Sequence, residues 1–449
     1  MQSLPTAAHP TNPRKKTMRT KAIASAAIMT AVALSLSACG SSADSASGNQ
    51  AAAAAAIDKC TPAESSIKMT YAPQGTPAVE HAKKVMEQKF PGLKIDAVAS
   101  QSSNYSDLTK QIVADSAVGK RPDLIMTGLG QLRFWTDTFN PAPIDPATLP
   151  EGYQKQFLAA GKAGDQSYLA PFQISTPVML VNKKLLAEAG ITDPASIKDF
   201  GQLVEAAKKV TEKTGKPSVN IASDDLPDWF SQALVQSSGE KFVADDGSFG
   251  FDTAKGREAM DLISTLAKEK LALNVKMDDG EAQFVAGNLA FQMATTSRIA
   301  RVVKNAPADL DWTPIDLPGL NGPEGALPAG GNGWVVISED PCKAAFSQAM
   351  ITEMLTKDAS LLSSGKDYSY IPVNRLATDE LLKGDNIAPQ MRYAWTYDKP
   401  LTAWGGFAGA QTAPIIDTLR TMLQQMGTGK SAADAVPAAA KTINALLGK

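Results

Sequence analysis

The chain has 449 residues, with 44% hydrophobic and 20% charged side chains and a formal net charge of −2 at pH 7. This length provides for two domains with sizeable cores, and the dispersed, slightly acidic charge disfavours nucleic-acid binding. There are only two histidines, His9 and His81, and His9 lies in the leader described next, so zinc sites built from two or three histidines are excluded. The sequence contains no phosphate-loop or dinucleotide-binding glycine pattern, and it predicts no cofactor and no metal site.

The N-terminal part is a targeting segment. A basic start with Arg14 and Lys15 precedes the apolar run Ala22–Leu36, which is too short and too rich in alanine for a good transmembrane helix. The run ends in small residues before Cys39 and resembles a bacterial lipobox. We therefore expect a lipoprotein signal peptide over residues 1–38 and lipidation of Cys39, which anchors the protein to a membrane. The alternative is an ordinary cleaved signal peptide with an incidental cysteine.

Residues 39–60 are rich in Ser, Ala, Gly and Asn and are predicted to form a flexible tether. Behind the lipobox two cysteines remain, Cys60 and Cys342. An even number of cysteines in an exported protein indicates a disulfide, with two free buried thiols as the alternative. Chain-entropy models assign a stabilisation of roughly 5 kcal/mol to a bridge that closes so long a loop.

The next segments alternate between strand and helix. Hydrophobic periodicity and Gly or Pro breaks predict, in order, a strand, a helix, a strand, a helix and a strand at Ile67–Tyr71, Val79–Phe90, Leu93–Ala99, Tyr105–Val118 and Asp123–Met126. This alternation predicts a parallel sheet with helices on its faces.

The second half repeats these signals with more helix. Strands are predicted at Leu180–Val181, Leu289–Met293 and Trp334–Ile337. Helices are predicted at Lys183–Ala189, Asp199–Thr214, Thr253–Lys268, Glu281–Ala286, Lys343–Leu355, Ala413–Met426 and Ser431–Leu447.

Five motifs accompany this order of elements: Arg121–Ile125, Ala170–Val178 followed by Asn182-Lys183, Phe284–Ala290, Gly330–Trp334 and Tyr370–Asn374. In order and spacing they resemble the extracellular solute-binding proteins of family 1, the carbohydrate type that serves ATP-driven importers, and most of all its glycerol-3-phosphate-binding members. The resemblance implies an α/β, two-lobed periplasmic-binding-protein fold of type II, with the ligand cleft between lobes joined by three crossover segments.

The resemblance also implies the lobe boundaries. The N-terminal lobe comprises residues 61–173 and 330–371, and the C-terminal lobe comprises residues 174–329 and 372–449. The crossings are expected near Gln173–Pro177, Ala326–Asn332 and Ser369–Asn374, where Gly or Pro lets the backbone bend. Both Cys60 and Cys342 then belong to the first lobe.

Candidate ligand contacts lie at these crossings and at element ends. Hydroxyls and amides suited to binding a ligand hydroxyl or an anion occur at Ser175, Thr176, Thr295, Thr296, Ser297, Gly330 and Gly331. Helix capping is the alternative role for the three hydroxyls after residue 294, and a simple turn is the alternative for the two glycines.

Aromatic rings pack on the C–H faces of sugars, so aromatic residues in loops are further candidates. Tyr105, Trp229, Tyr370 and Trp404 are expected to contact ligand, with Gly405 beside the last of these. Trp135, Trp312 and Trp395 are interpreted as packing residues.

The ligand class follows from two departures from the glycerol-3-phosphate type. That type has an acidic residue near Leu129 and an arginine near Trp404, and neither is present here. Loss of a charge-assisted phosphate contact favours a neutral ligand, although Arg298 or Arg375 remains as an alternative phosphate ligand.

The prediction is a substrate-binding lipoprotein of an ATP-binding-cassette importer. It captures a neutral sugar, oligosaccharide or polyol by hinge closure, acts as a monomer at the extracytoplasmic face of the cell membrane, delivers to membrane permease subunits and is not an enzyme. The alternatives are a glycerol-3-phosphate or glycerophosphodiester binder, a sensor or adhesin without a transporter, and a carbohydrate-active enzyme. The enzyme needs paired carboxylates, and the cluster Asp224, Asp225 and Asp228 is interpreted as a solvated loop instead.

Overall fold

The computed structural model describes residues 54–221, 225–322 and 326–449. The predicted signal peptide, the lipidation residue Cys39 and Asp224 lie outside the described residues. Within these ranges, no helix has the length and apolar character needed to cross a bilayer.

The strands are β1 Ser66–Tyr71, β2 Lys94–Ala99, β3 Leu124–Gly128, β4 Lys162–Ala163, β5 Gln166–Ser167, β6 Ala170–Ser175, β7 Pro177–Asn182, β8 Val219–Asn220, β9 Phe291–Thr295, β10 Trp312–Asp316, β11 Leu327–Pro328, β12 Gly330–Val336 and β13 Leu401–Thr402. The α-helices are α1 Thr76–Lys89, α2 Tyr105–Ala117, α3 Leu132–Phe139, α4 Lys183–Glu188, α5 Phe200–Thr214, α6 Pro227–Gln236, α7 Ala254–Lys268, α8 Met277–Val285, α9 Ile299–Asn305, α10 Pro341–Met354, α11 Lys357–Ser364, α12 Arg375–Leu381, α13 Pro389–Trp395, α14 Thr412–Gly427 and α15 Ala432–Leu446.

The strands form two larger mixed sheets. The first has the order β2-β1-β3-β12-β6, and the second has the order β10-β7-β9-β8. In the first sheet β1 pairs in parallel with β2 and β3, which confirms the prediction from the alternating segments. The late strand β12 enters between β3 and β6 and is antiparallel to both, so the complete sheet is not parallel. The pairing of β12 with β3 joins residues about 200 positions apart, and local sequence patterns do not predict such pairing.

Helix ends follow the capping rules. Asn104 accepts hydrogen bonds from the amides of Ser106 and Asp107 and starts α2, and Asp199 with Gln202 forms a capping box at α5. Because α6 is buried from Pro227 to Val235, it has no solvent-exposed polar face, and amphipathic periodicity does not predict it. The helix expected at Glu281 starts four residues earlier, at Met277.

The three segments expected to cross between lobes lie side by side. The chain leaves the first sheet at Ser175 and enters the second at Pro177. Ser175 is the Cα partner of Gly330, where β12 begins, and the amide of Ile371 donates to the carbonyl of Ile174 at 2.8 Å. The backbone therefore passes between the sheets along one shared seam.

Cys60 and Cys342 form a disulfide, with their Cα atoms 5.5 Å apart and 282 positions apart in sequence. The bridge joins the end of the predicted tether to the first turn of α10. The amide of Ala55 also donates to the carbonyl of Pro341 at 3.0 Å, so residues 55–60 are held against this helix. The predicted pairing is confirmed.

Replacing both Cys60 and Cys342 by alanine is expected to lower the free energy of unfolding by up to about 5 kcal/mol, because the unfolded chain regains the entropy of an open loop. Urea unfolding followed by circular dichroism measures the change. Wild-type protein in a reducing agent is the control and should match the double variant. Equal midpoints for oxidised wild type and the double variant would contradict the prediction.

Candidate functional site

A cavity of about 590 Å³ lies where elements of the two sheets face the same space. One part of its wall comes from the start of α2 and the turn after β3, which belong to the first sheet. The rest comes from the first turns of α6 and α8, from Trp404 and from α14. The lining residues are Ser103, Asn104, Tyr105, Ser106, Gly128, Gly130, Gln131, Asp225, Leu226, Pro227, Asp228, Lys276, Met277, Asp278, Asp279, Arg298, Trp404, Ile416 and Arg420.

Tyr105 is held in a polar network at the base of the cavity. Its hydroxyl accepts from Asn332 Nδ2 at 2.9 Å and from Gln74 Nε2 at 3.1 Å, and it also hydrogen-bonds the hydroxyl of Tyr370. Asn332 Nδ2 further donates to Gln173 Oε1 at 2.8 Å. Burial raises the pKa of Tyr105, so the hydroxyl stays protonated and the network is neutral. The network ties the cavity to the seam between the sheets.

Trp404 forms the aromatic wall, and its position is fixed from several sides. The indole Nε1 donates to Asp228 Oδ2 at 2.7 Å, and the ring centroid lies 5.8 Å from that of Trp229. Gln232 hydrogen-bonds the backbone on both sides of Trp404. Its Oε1 accepts from the Gly405 amide and its Nε2 donates to the Ala403 carbonyl, both at 2.8 Å. The ring is thus preorganised without a ligand.

On its other side the Trp404 ring lies against the backbone of Gly130, in the turn after β3. A Cβ built on Gly130 would come within 2.7 Å of the indole ring. Since Gly130 lies in the turn after β3 and Asp228 lies in α6, Trp404 connects two parts of the cavity wall.

Gly130→Ala is therefore expected to displace Trp404 and weaken ligand binding by about tenfold, because overpacking at this point costs about 1–3 kcal/mol. Tryptophan fluorescence and calorimetric affinity measure the effect. Gly427→Ala is the matched control, since a Cβ there meets its nearest atom at 3.6 Å. Unchanged fluorescence and affinity in Gly130→Ala would show that the ring tolerates the methyl group.

Asp228 is 6% exposed and sits in the first turn of α6. Burial raises the pKa of its carboxyl to about 6, against opposing hydrogen bonds from Trp404 and the amides of Asp228 and Trp229 and the charge of Arg420. At pH 7 the group is still ionised. The fold therefore carries a buried carboxylate whose ionisation opposes stability.

The raised pKa predicts a pH dependence. The folded state binds the proton more tightly than the unfolded state, whose pKa is near 3.8, so the free energy of unfolding falls as pH rises from about 4 to about 6. The difference corresponds to about 3 kcal/mol. Asp228→Asn should lack this fall, and the exposed lining residue Asp279, as Asp279→Asn, should retain it. Urea unfolding from pH 4 to pH 7 measures both, and parallel curves for wild type and Asp228→Asn would refute the assignment.

With the geometry described, comparison with known proteins becomes informative. A family model described as bacterial extracellular solute-binding protein matches residues 72–360, which is more than half of the chain. The chain belongs to this family. The structure matches the two-lobed fold of such proteins.

One curated protein matches part of the sequence, and solved structures share the fold. An arabinooligosaccharide-binding protein of Halalkalibacterium halodurans is 28% identical over 211 residues, an alignment that covers 44% of this chain and 45% of that protein. The chain thus matches about half of that relative's length. The cyclic alpha-maltosyl-1,6-maltose binding protein of Arthrobacter globiformis has a TM-score of 0.72 at 17% identity, over 85% of this chain and 98% of the other. UgpB of Mycobacterium tuberculosis with glycerophosphocholine has a TM-score of 0.70 at 17% identity, over the same shares.

Of the predicted ligand contacts, Tyr105 and Trp404 line the cavity of this solute-binding protein, and Tyr370 and Gly405 contact them or their supports. Trp229 is 1% exposed and donates to the carbonyl of Pro328 at 3.2 Å, so it supports the wall from behind. The packing residues Trp135, Trp312 and Trp395 are buried, as predicted.

The predicted hydroxyls join chain segments to each other. The Thr176 amide donates to Thr296 Oγ1 at 3.2 Å, and Ser369 Oγ donates to the Thr296 carbonyl at 2.8 Å. The Thr295 hydroxyl accepts from the Ser297 amide, which is the capping alternative. These residues are not among those that line the cavity, and their ligand contact stays a prediction.

Gly330 and Gly331 are required by the seam itself. A Cβ on Gly330 would lie 2.6 Å from the Trp229 ring and 2.8 Å from Ser175 Oγ. Gly331 has φ +100°, and a Cβ there would lie 1.9 Å from the carbonyl oxygen of Gln173. Their small size thus serves close approach between protein segments.

The two arginines considered as phosphate ligands, Arg298 and Arg375, differ in their location relative to the cavity. Arg298 lines the cavity but pairs with Asp278 at 2.6 Å and approaches Glu281 at 3.6 Å. Burial raises the pKa of Glu281, while Arg298 and Arg301 oppose this rise. Arg375 has a side chain 67% exposed, pairs with Asp379 and is not among the lining residues.

Sequence reasoning missed several residues of the site. Gln74, Gln232 and Asn332 carry no pattern, because isolated amides are equally common on surfaces. Asp228 was visible as part of an acidic cluster, but its interpretation as a solvated loop residue is wrong because α6 buries it. The signal that was available is the pair Pro227-Asp228 before an apolar run, which is typical of a helix start.

Proposed function

We propose that this protein is the substrate-binding component of an ATP-binding-cassette importer and that it captures a neutral sugar, oligosaccharide or polyol in the cavity between its lobes. The observation that carries the proposal is the wall at Trp404, where a fixed indole ring adjoins the carboxylate of Asp228. A flat ring for C–H faces beside a strong acceptor for hydroxyls is the combination that saccharides require.

Capture operates through hinge closure. Tyr105, Gly130 and Gln131 line the cavity from the first lobe, and Asp228 and Trp404 line it from the second. A ligand that contacts both groups stabilises the closed state by its extra contacts there, and membrane permease subunits then bind the closed form. No covalent step is needed.

The charge inside the cavity favours a neutral ligand. Arg298 is compensated by Asp278 and Glu281, so its charge is already neutralised within the protein. A second candidate is a glycerophosphodiester, supported by Arg298 and Arg420 on the wall and by the complex of the Mycobacterium tuberculosis protein with glycerophosphocholine.

The membrane arrangement is part of the proposal. Removal of residues 1–38 and lipidation of Cys39 would attach the protein as a monomer to the extracytoplasmic face of the membrane, next to its permease. The first described residues, from Ala54, lead directly to the disulfide at Cys60.

A ligand panel tests the proposal. The purified protein is titrated with arabinotriose, maltose, sorbitol, glycerol 3-phosphate and glycerophosphocholine while tryptophan fluorescence is recorded. We expect a saturable shift with at least one neutral saccharide and a loss of affinity of about tenfold or more in Trp404→Ala. Trp312→Phe, which lies in a separate buried cluster, is the control and should bind as wild type.

A response to phosphorylated ligands alone would replace the neutral-sugar proposal with the second candidate. Product formation from the oligosaccharides at low protein concentration would favour the enzyme alternative instead.

A further inference from the structure

The acidic residues that line the cavity differ sharply in environment. Asp225, Asp278 and Asp279 are exposed, whereas Asp228 is only 6% exposed although it lines the same wall. An ionised carboxylate at such a position costs stability unless it is used. Stability therefore does not account for this carboxylate, whereas ligand binding at the cavity wall does.

The orientation of the Asp228 carboxylate is fixed. Oδ2 accepts from Trp404 Nε1 at 2.7 Å, and amides of the first turn of α6 also hydrogen-bond the group. Trp404 is itself held through Gln232. A carboxylate offers about four acceptor positions, so these contacts leave acceptor capacity for a ligand.

The charge environment complements hydroxyl groups. Arg420 on α14 lines the same cavity and interacts electrostatically with Asp228, besides its pair with Asp417. An ionised carboxylate accepts hydrogen bonds, and the hydroxyls of a sugar donate them. A phosphate, by contrast, would place negative oxygens against a desolvated anion.

We propose that Asp228 is the specificity-determining residue of the cavity, that it accepts hydrogen bonds from ligand hydroxyls and rejects phosphorylated ligands, and that Trp404, besides forming the aromatic wall, orients its carboxylate. The inference rests on the proposed function and deepens it. It assigns the choice between the two candidate ligand classes to one carboxylate on the second lobe.

The deciding experiment measures a ratio of affinities. Wild type and Asp228→Asn are titrated calorimetrically with arabinotriose and maltose as neutral probes and with glycerol 3-phosphate and glycerophosphocholine as phosphate probes. Asparagine keeps the shape and the acceptor for Trp404 Nε1 but removes the charge. We expect neutral affinity to fall by about tenfold or more, since a charged acceptor is lost, and the preference over phosphate probes to fall by at least as much.

Asp96→Asn is the matched control, because it removes an exposed charge from β2, outside the cavity, and its affinity ratio should stay within about twofold of wild type. Trp404→Phe keeps a ring but removes the indole donor, and it should lower the neutral-to-phosphate ratio less than Asp228→Asn does. If Asp228→Asn does not fold, Asp228→Glu decides, since it must keep the discrimination against phosphate while binding neutral probes more weakly.

The two proposals fail in different ways. An unchanged ratio in Asp228→Asn, with wild type binding neutral saccharides, overturns the role of Asp228 and leaves the proposed function standing. Wild type that binds no saccharide at all overturns the proposed function. Wild type that binds saccharides and phosphate probes equally tightly overturns the role of Asp228 alone, and binding of the phosphate probes only overturns both.

Discussion

The close approach of three chain segments along one seam is the constraint on which the rest of the structure depends. Ser175 pairs with Gly330 and Ile174 with Ile371, so the connections between the lobes are hydrogen-bonded to each other. This spacing requires Gly331, whose position excludes any side chain. A seam of paired backbone limits the ways in which the lobes can move and thereby defines a hinge axis.

Contacts with the seam fix the positions of the side chains around the cavity. Tyr105 reaches Asn332 of β12 and Tyr370 of the third segment, and Trp229 packs on Gly330 from the opposite lobe. Trp404 then packs against Trp229 with its ring tilted by 45° and is hydrogen-bonded to Asp228. The side chains that line the cavity are thus in continuous contact with the residues of the seam.

The sequence predicted much of the fold because local signals dominate its helices and early strands. The strand at Ile67–Tyr71 and the helix at Asp199–Thr214 agree with β1 and α5 to within one residue. The antiparallel entry of β12 and the buried helix α6 were not predictable, since one depends on distant pairing and the other has no solvent-exposed polar face. In the cavity, ring residues in glycine-rich loops were identifiable, whereas the partners of Trp404 were not, because hydrogen bonds across 176 positions leave no pattern.

The covalent link between Cys60 and Cys342 also decides where mechanical load enters the molecule. A pull on the chain ahead of Cys60 passes into α10, which packs against β1 and β12 at the heart of the first lobe. Neither Trp404 nor the start of α6 lies on that route. A load applied to the chain ahead of Cys60 therefore enters the first sheet through α10 and does not pass through the residues that line the cavity.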